Sequence, residues 1–253
     1  MNWHHQLVIV RRKRPGQVPS TVLGVEGASV WRKRVGPRLE LQRAAEALRL
    51  LGPAAVQVLG VEGDVMVLER VLPGNEAAEL SDEASTFAIA ESLLRLWTPV
   101  PDNCHLPNVR QECAALYDER AVAPLPPDLV RTARSTLDEL LRDAPVPRVL
   151  HGDLHPHNLL WSNDRGWVAI DPHGLVGDSA YDVGPLLINP WAADAARLLD
   201  RRLAQLVEVL QMPRERLAAW GLVRAVLAEA WHVQDTGAPA GGPLQVGQLL
   251  ATR

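Results

Sequence analysis

Three side chains carrying acidic or hard oxygen groups fall close together in one part of this 253-residue chain. The run His151-Gly152-Asp153-Leu154-His155-Pro156-His157-Asn158-Leu159-Leu160 holds Asp153 and Asn158, and Asp171 closes the apolar run Val168-Ala169-Ile170. These are the parts phosphoryl transfer asks of a protein: a group that accepts or orients the acceptor's proton, and ligands for a cation that spreads phosphate charge. Mg²⁺ prefers oxygen donors and keeps several waters, so an amide oxygen, a carboxylate and the phosphates suffice. A His-Gly-Asp run with Asn at this spacing arises by chance in a chain of this length on the order of once in a thousand. The competing reading is a buried His and an Asp-capped turn in another α/β protein; a motif needs its structural context.

The elements that must position these groups can be read outward. Arg148-Val149-Leu150 is a short strand leading into the loop. Asn158–Trp161 and Trp167–Ile170 flank Ser162-Asn163-Asp164-Arg165-Gly166, a hairpin pattern. Asn158 and Asp171 then sit at opposite-running strand ends, able to share one ion. His151 is expected to support the loop by hydrogen bonding. His155 and His157 lack a Cys or third His at zinc spacing.

Upstream, Leu7–Val10, Val22–Val25 and Ala28–Val35 read as short strands, and Val56–Val61 with Asp64–Val71 as an apolar hairpin. Leu41, Ala44, Ala45, Leu48 and Leu51 recur at helical spacing and stop at Gly52-Pro53. From Ser81, a capping residue, Phe87, Ala90, Leu94 and Trp97 form one helical face, expected to be core. Val109–Arg120 is a weaker helical stretch. Pro127 or Asp128 opens a helix with Val130, Ala133, Leu137, Leu140 and Leu141 inward. Ser179–Ile188 looks helical, Trp191–Gln211 and Pro213–Gln234 are long amphipathic helices, and the Gly- and Pro-rich tail from Thr236 is expected to be loose.

HGDLHPHNLL and IDPHGLVGDSAYDVG, followed by Asn189-Pro190, resemble the catalytic loop and metal-binding segment of the aminoglycoside phosphotransferase family, in its streptomycin 6-kinase and hydroxyurea phosphotransferase branch. The resemblance implies an α+β, two-lobed protein-kinase-like fold. It places an N-terminal nucleotide-binding lobe over 1–72 and a mainly helical catalytic and acceptor-binding lobe over 73–253. It implies ATP and Mg²⁺ as cofactors, Asp153 as the catalytic base, and Asn158 and Asp171 as metal ligands. Lys33 would contact the α/β-phosphates, with Glu40 of the following helix holding it. Ser20 lies where a phosphate-loop Ser belongs, although a plain polar hairpin accounts for it equally. Adenine would bond to backbone groups near Glu69 and Val71; an ordinary strand end is the alternative. Asp182 resembles the Asp that braces the catalytic loop. His173, Asp178, Glu229, Trp231 and Asp235 are candidates to meet the substrate, with Trp231 offering a ring face to a cation. Capping, surface or core roles compete for each.

The acceptor implied is a small cationic molecule, an aminoglycoside such as streptomycin at its 6-hydroxyl. The alternatives are hydroxyurea or another small alcohol, or a nucleotide-binding pseudokinase without turnover. Composition agrees with a globular chain: 47% hydrophobic, 22% charged and a net charge of −4. That balance gives no sign of nucleic-acid binding. Leu7–Val10 is too short for a membrane span and its basic residues follow it, unlike a signal peptide. Cys104 and Cys113 suit free thiols in a reducing cytoplasm, and no obligate protein partner is evident.

Overall fold

A computed structural model describes residues 7–9, 21–24, 30–34, 38–63, 65–189 and 195–252. Up to residue 39, only the backbone course is described. In chain order, β1 (Leu7–Ile9), β2 (Thr21–Gly24) and β3 (Val30–Arg34) precede α1 (Arg38–Leu51). Then β4 (Val58–Glu62) and β5 (Val65–Glu69) complete an antiparallel sheet in the order β1-β2-β3-β5-β4. Leu41, Ala45, Leu48 and Leu51 of α1 are buried, as the spacing requires, and Gly52 turns the chain out with φ +66.

The remainder is mostly helical. After β6 (Pro73–Glu76) comes α2 (Asp82–Leu96), capped by Ser81, which accepts from the Ala84 N–H at 3.3 Å. β7 (Thr98–Pro99), the short helices α3 (Val109–Glu112) and α4 (Glu119–Val122), and α5 (Pro127–Arg142) follow. Next are β8 (Arg148–Leu150), β9 (Leu159–Ser162), β10 (Gly166–Ala169) and β11 (Leu175–Gly177). The chain ends with α6 (Gly184–Ile188), α7 (Ala195–Leu210), α8 (Arg214–Thr236) and α9 (Gly242–Ala251). Two small sheets, β10-β9-β6 and β11-β8-β7, frame the segment that carries the acidic motif. Leu93, Leu96, Leu137, Leu150, Leu154, Tyr181 and Trp220 are fully buried beneath them.

The sheet lobe is sewn to the β9–β10 hairpin. The Val56 N–H donates to the Ala169 carbonyl at 2.9 Å, and Ala55 bridges Ala169. Arg165 in the hairpin turn donates to the Pro53 and Ala55 carbonyls at 3.3 and 3.4 Å and pairs with Glu69. This small antiparallel lobe beside a mainly helical one is the expected fold class.

Three local expectations need correction. Phe87 and Leu94 are 47% and 51% exposed; α2 turns inward on Ala88, Ile89, Ala90, Leu93 and Leu96 instead. The Val109–Arg120 stretch is broken into short helical pieces by a 3₁₀ turn at Cys113–Tyr117. The tail is not loose throughout: Gly242-Pro243 opens α9, where proline suits a first helical turn, and Val246 and Leu250 are buried.

Candidate active site

β8 delivers the chain into His151-Gly152-Asp153, and the local hydrogen bonds fix that loop. The buried Asp182 carboxylate accepts from the His151 N–H at 3.1 Å and the Gly152 N–H at 2.6 Å; it also takes the Trp97 Nε1–H at 3.1 Å. Burial raises this carboxyl to about 6, against the pull of those donors, so it is ionised at neutral pH. Gly152 needs its φ of +83, and a Cβ there would come within 3.0 Å of His173 and Leu175 side chains. The His151 ring is also buried. Its Nδ1 accepts from the Asp153 N–H at 3.2 Å, so Nε2 carries the hydrogen and donates to the Ile170 carbonyl at 2.9 Å. Burial pushes this imidazole down to about 4, keeping it neutral. His151 is a loop brace, as its place in the sequence suggests.

Further hydrogen bonds link the segments that carry the three oxygen-bearing residues. The Asn158 Nδ2–H donates to the Asp153 carbonyl at 2.9 Å, which fixes the amide and turns Oδ1 the other way. Among the described residues, Asn158 Oδ1 accepts no hydrogen bond. The Ile170 N–H donates to the Asn158 carbonyl at 2.9 Å, just beyond the closing Ala169–Leu159 pair of the β9–β10 ladder, and Asp171 follows. Asp171 takes φ +60, a left-handed conformation that is uncommon for a side-chain-bearing residue and costs about 1–3 kcal/mol. Such strain persists where neighbours impose it, often at functional sites. Among the described residues, no group of three or more His, Cys, Asp or Glu side chains could hold a metal by itself. One amide oxygen and one carboxylate fit a hard ion that shares its shell with water and phosphates.

Around Asp153 lies a chain of alternating charge. Its Oδ1 accepts from Arg224 of α8 at 3.0 Å, while Oδ2 lies 3.7 Å from His155 Nε2 and 3.8 Å from His173 Nε2. Burial alone would raise the Asp153 carboxyl. His173, His155 and Arg224 outweigh it and hold the group below its usual value. His173 Nδ1 meets Glu112 at 3.2 Å, and the other Glu112 oxygen accepts from Arg43 of α1 at 2.6 Å. Against its burial, His173 and Arg43 hold the Glu112 carboxyl down to about 2. Asp153 and Glu112 in turn raise the His173 imidazole despite its burial. Arg43 Nε also donates to the Gly174 carbonyl at 2.8 Å, which ties α1 to the segment just after Asp171.

The remaining candidates are scattered. Ser20 lies outside the described residues. Lys33 stands in β3, opposite Val22 and Met66, and its side chain is not among those described. Glu40 is half-buried in the first turn of α1. The Glu69 carboxylate takes the Gln57 N–H at 2.8 Å and Arg165, and its own N–H donates to the Gln57 carbonyl at 3.0 Å. That N–H is therefore committed inside the sheet. Val71 is buried, and among the described residues its N–H donates no hydrogen bond.

Of the acceptor candidates, His173 and Trp231 lie near Asp153. Their rings are 5.9 Å apart, and the Arg224 guanidinium sits 4.6 Å from the Trp231 ring centre. Asp178 is a buried brace instead, accepting from Ala180 N–H at 3.0 Å, Arg216 Nε at 2.8 Å and Trp220 Nε1 at 2.5 Å. Glu229 is likewise spent, taking the N–H groups of Ala240, Gly241 and Leu244 at 2.7, 2.8 and 3.3 Å to anchor the approach to α9. Neither carboxylate is left to meet a cation. Asp235 is exposed near the end of α8. Arg224, Glu112 and Arg43 escaped the sequence reading. Arg224 alone had a signal, one charge inside the apolar run Leu222-Val223-Arg224-Ala225-Val226-Leu227.

Solved structures share this fold. A choline kinase from Streptococcus pneumoniae superposes with a TM-score of 0.67 at 15% identity, covering 92% of this chain and 90% of that one. An aminoglycoside phosphotransferase solved with AMP-PNP and hygromycin B gives 0.61 at 15%, covering 98% and 91%. In sequence, the chain is 32% identical over 239 residues to a streptomycin 6-kinase of Streptomyces griseus, across 89% of this chain and 77% of that protein. Residues 12–236 match the family described as aminoglycoside/hydroxyurea antibiotic resistance kinase. The chain therefore belongs to that family of phosphotransferases, which act on hydroxyl groups.

Proposed function

We propose that this protein transfers the γ-phosphate of ATP to a hydroxyl of an aminoglycoside, streptomycin at its 6-hydroxyl, and so confers resistance in the cytoplasm. The observation that carries the reading is the Asp153–Asn158–Asp171 arrangement: the Asn158 amide is hydrogen-bonded to the Asp153 backbone, and the residue before Asp171 is hydrogen-bonded to the Asn158 backbone. The 32% identity to a streptomycin 6-kinase supports the acceptor.

Asp153 Oδ2 receives or orients the acceptor proton. Its lowered pKa keeps it ionised at neutral pH, as a proton acceptor must be. Asn158 Oδ1 and Asp171 would hold Mg²⁺, which would supply positive charge to offset that of the nucleotide's phosphates. Lys33 would steady the α/β-phosphates with Glu40 as its partner, and the Ser20 hydroxyl would serve the phosphates. Adenine bonds at the Val71 N–H and at the Glu69 carbonyl. On this reading, the nucleotide lobe runs over 1–72 and the acceptor lobe over 73–253. His173 and Trp231 border the acceptor, with Asp235 farther out.

Purified protein incubated with labelled ATP, Mg²⁺ and streptomycin should release ADP and label the antibiotic, with NMR placing the phosphate on the 6-hydroxyl. Transfer to hydroxyurea or another alcohol but not streptomycin would move the acceptor within the same reaction. Nucleotide binding without transfer to any acceptor would defeat the kinase reading.

A further inference from the structure

Arg224 is an expensive residue to keep. It is 3% exposed, yet of its three guanidinium nitrogens only Nη2 makes a hydrogen bond among the described residues, and Nε is buried with no partner. A buried charge with donors left over destabilises a fold relative to an apolar side chain of the same size. The surroundings are nevertheless shaped to hold it. Gly184 is required beneath its stem, because a Cβ there would stand 2.5 Å from Arg224 Cβ. The Trp231 ring lies 4.6 Å from the guanidinium carbon. Its one hydrogen bond among the described residues goes to the carboxylate of Asp153.

We propose that Arg224 is a positioning residue: by holding Asp153 Oδ1 it leaves Oδ2 as the one oxygen that meets the acceptor hydroxyl. This rests on Asp153 being the acceptor-facing carboxylate. A carboxylate on a short side chain can turn about its last bond and present either oxygen. A guanidinium fixed by Gly184 and Trp231 removes that freedom, and Oδ2 stays toward His155 and His173 at 3.7 and 3.8 Å. Those gaps are too long for direct hydrogen bonds. The sequence separation of Arg224 from Asp153 places this control in α8, far along the chain from the loop it serves.

The test compares Arg224→Ala, Arg224→Met and Arg224→Lys with Asp153→Asn in phosphate transfer, using whichever acceptor the parent protein turns over. Folding is checked by circular dichroism. Arg224→Ala and Arg224→Met should lose about a hundredfold in kcat, the order expected when a reacting group is misplaced by ~1 Å. KM for ATP should stay within about twofold, because the nucleotide contacts are untouched. Guanidinium ion at millimolar concentration should restore activity at least tenfold in Arg224→Ala, whose slot is empty, and not in Arg224→Met, whose slot is filled. Arg224→Lys should keep partial activity.

A kcat near the parent's in Arg224→Met, a folded Arg224→Ala that guanidinium does not rescue, or a rise confined to KM overturns the proposal. If Arg224→Ala does not fold, kcat and KM in the Met and Lys variants decide it. Full turnover in Asp153→Asn would instead show that the reading of the base has failed.

Discussion

Replacing Gly174 by Ala should disturb both stability and turnover, and the size of the effect can be worked from the contact with α1. Gly174 has φ +71, and a Cβ there would stand 2.6 Å from the Ala47 Cβ and 3.2 Å from both the Arg43 carbonyl oxygen and Leu106 Cδ2. A left-handed backbone costs an alanine about 1–2 kcal/mol. Forcing an extra methyl into a packed contact adds about 1–3 kcal/mol. The sum, about 2–5 kcal/mol, lowers the melting temperature by roughly 4–20 °C in a chain of this size. Ala47→Gly alone should cost about 2 kcal/mol, from helix propensity and a lost buried methyl.

The double variant separates backbone strain from collision. With Ala47 shortened, the steric part is relieved, so Gly174→Ala/Ala47→Gly should be about 1–3 kcal/mol more stable than the two losses added together. Denaturant unfolding followed by tryptophan fluorescence measures all four proteins. If the losses add to within about 0.5 kcal/mol, or if Gly174→Ala alone is neutral, the close approach of α1 does not constrain this turn. Transfer activity of folded Gly174→Ala should also fall by about a hundredfold, since Asp171 lies three residues earlier and Arg43 grips the Gly174 carbonyl.

Asp153→Asn should lower kcat at least a thousandfold while calorimetry finds nucleotide affinity unchanged; retained turnover would remove Asp153 from its role. Asp171→Ala should raise the Mg²⁺ concentration needed for half-maximal nucleotide binding at least tenfold, read by fluorescence titration. Glu112 is held at about 2 against an ordinary 4.5, so its contribution is present above pH 4.5 and lost as pH falls toward 2. This amounts to about 3 kcal/mol, and an acid-unfolding series should find that slope flattened in Glu112→Gln. The sign is opposite for His173, whose pKa is raised: its stabilising share is full below about 6.5 and disappears as pH climbs through the folded value. An NMR titration of the imidazole checks it.

Local pattern carried much of this molecule. The strand Arg148–Leu150, the hairpin about residues 162–166 and the helix stopping at Gly52 are set by neighbours in sequence, and they fall as read. The opposite-running strand ends beside Asn158 and Asp171 could likewise be read from the hairpin pattern. Failures came where tertiary contacts decide. Nothing local tells whether the small residues of α2 or Phe87 and Leu94 face inward. Gly242-Pro243 reads as a loose tail and as a helix start with the same letters. Asp178 and Glu229 could be taken for substrate carboxylates because their partners, Trp220 and the Ala240–Leu244 amides, lie outside their own sequence neighbourhoods. The Arg43–Glu112–His173–Asp153 relay joins four separated segments, so no spacing rule could expose it.

The stitch between Ala55-Val56 and Ala169 has a mechanical corollary. It grips the sheet lobe two residues before Asp171, so the two parts share a short, direct backbone linkage. On the function proposed here, a displacement of the sheet lobe therefore reaches Asp171 through two residues of backbone, and the two are geared together rather than independent.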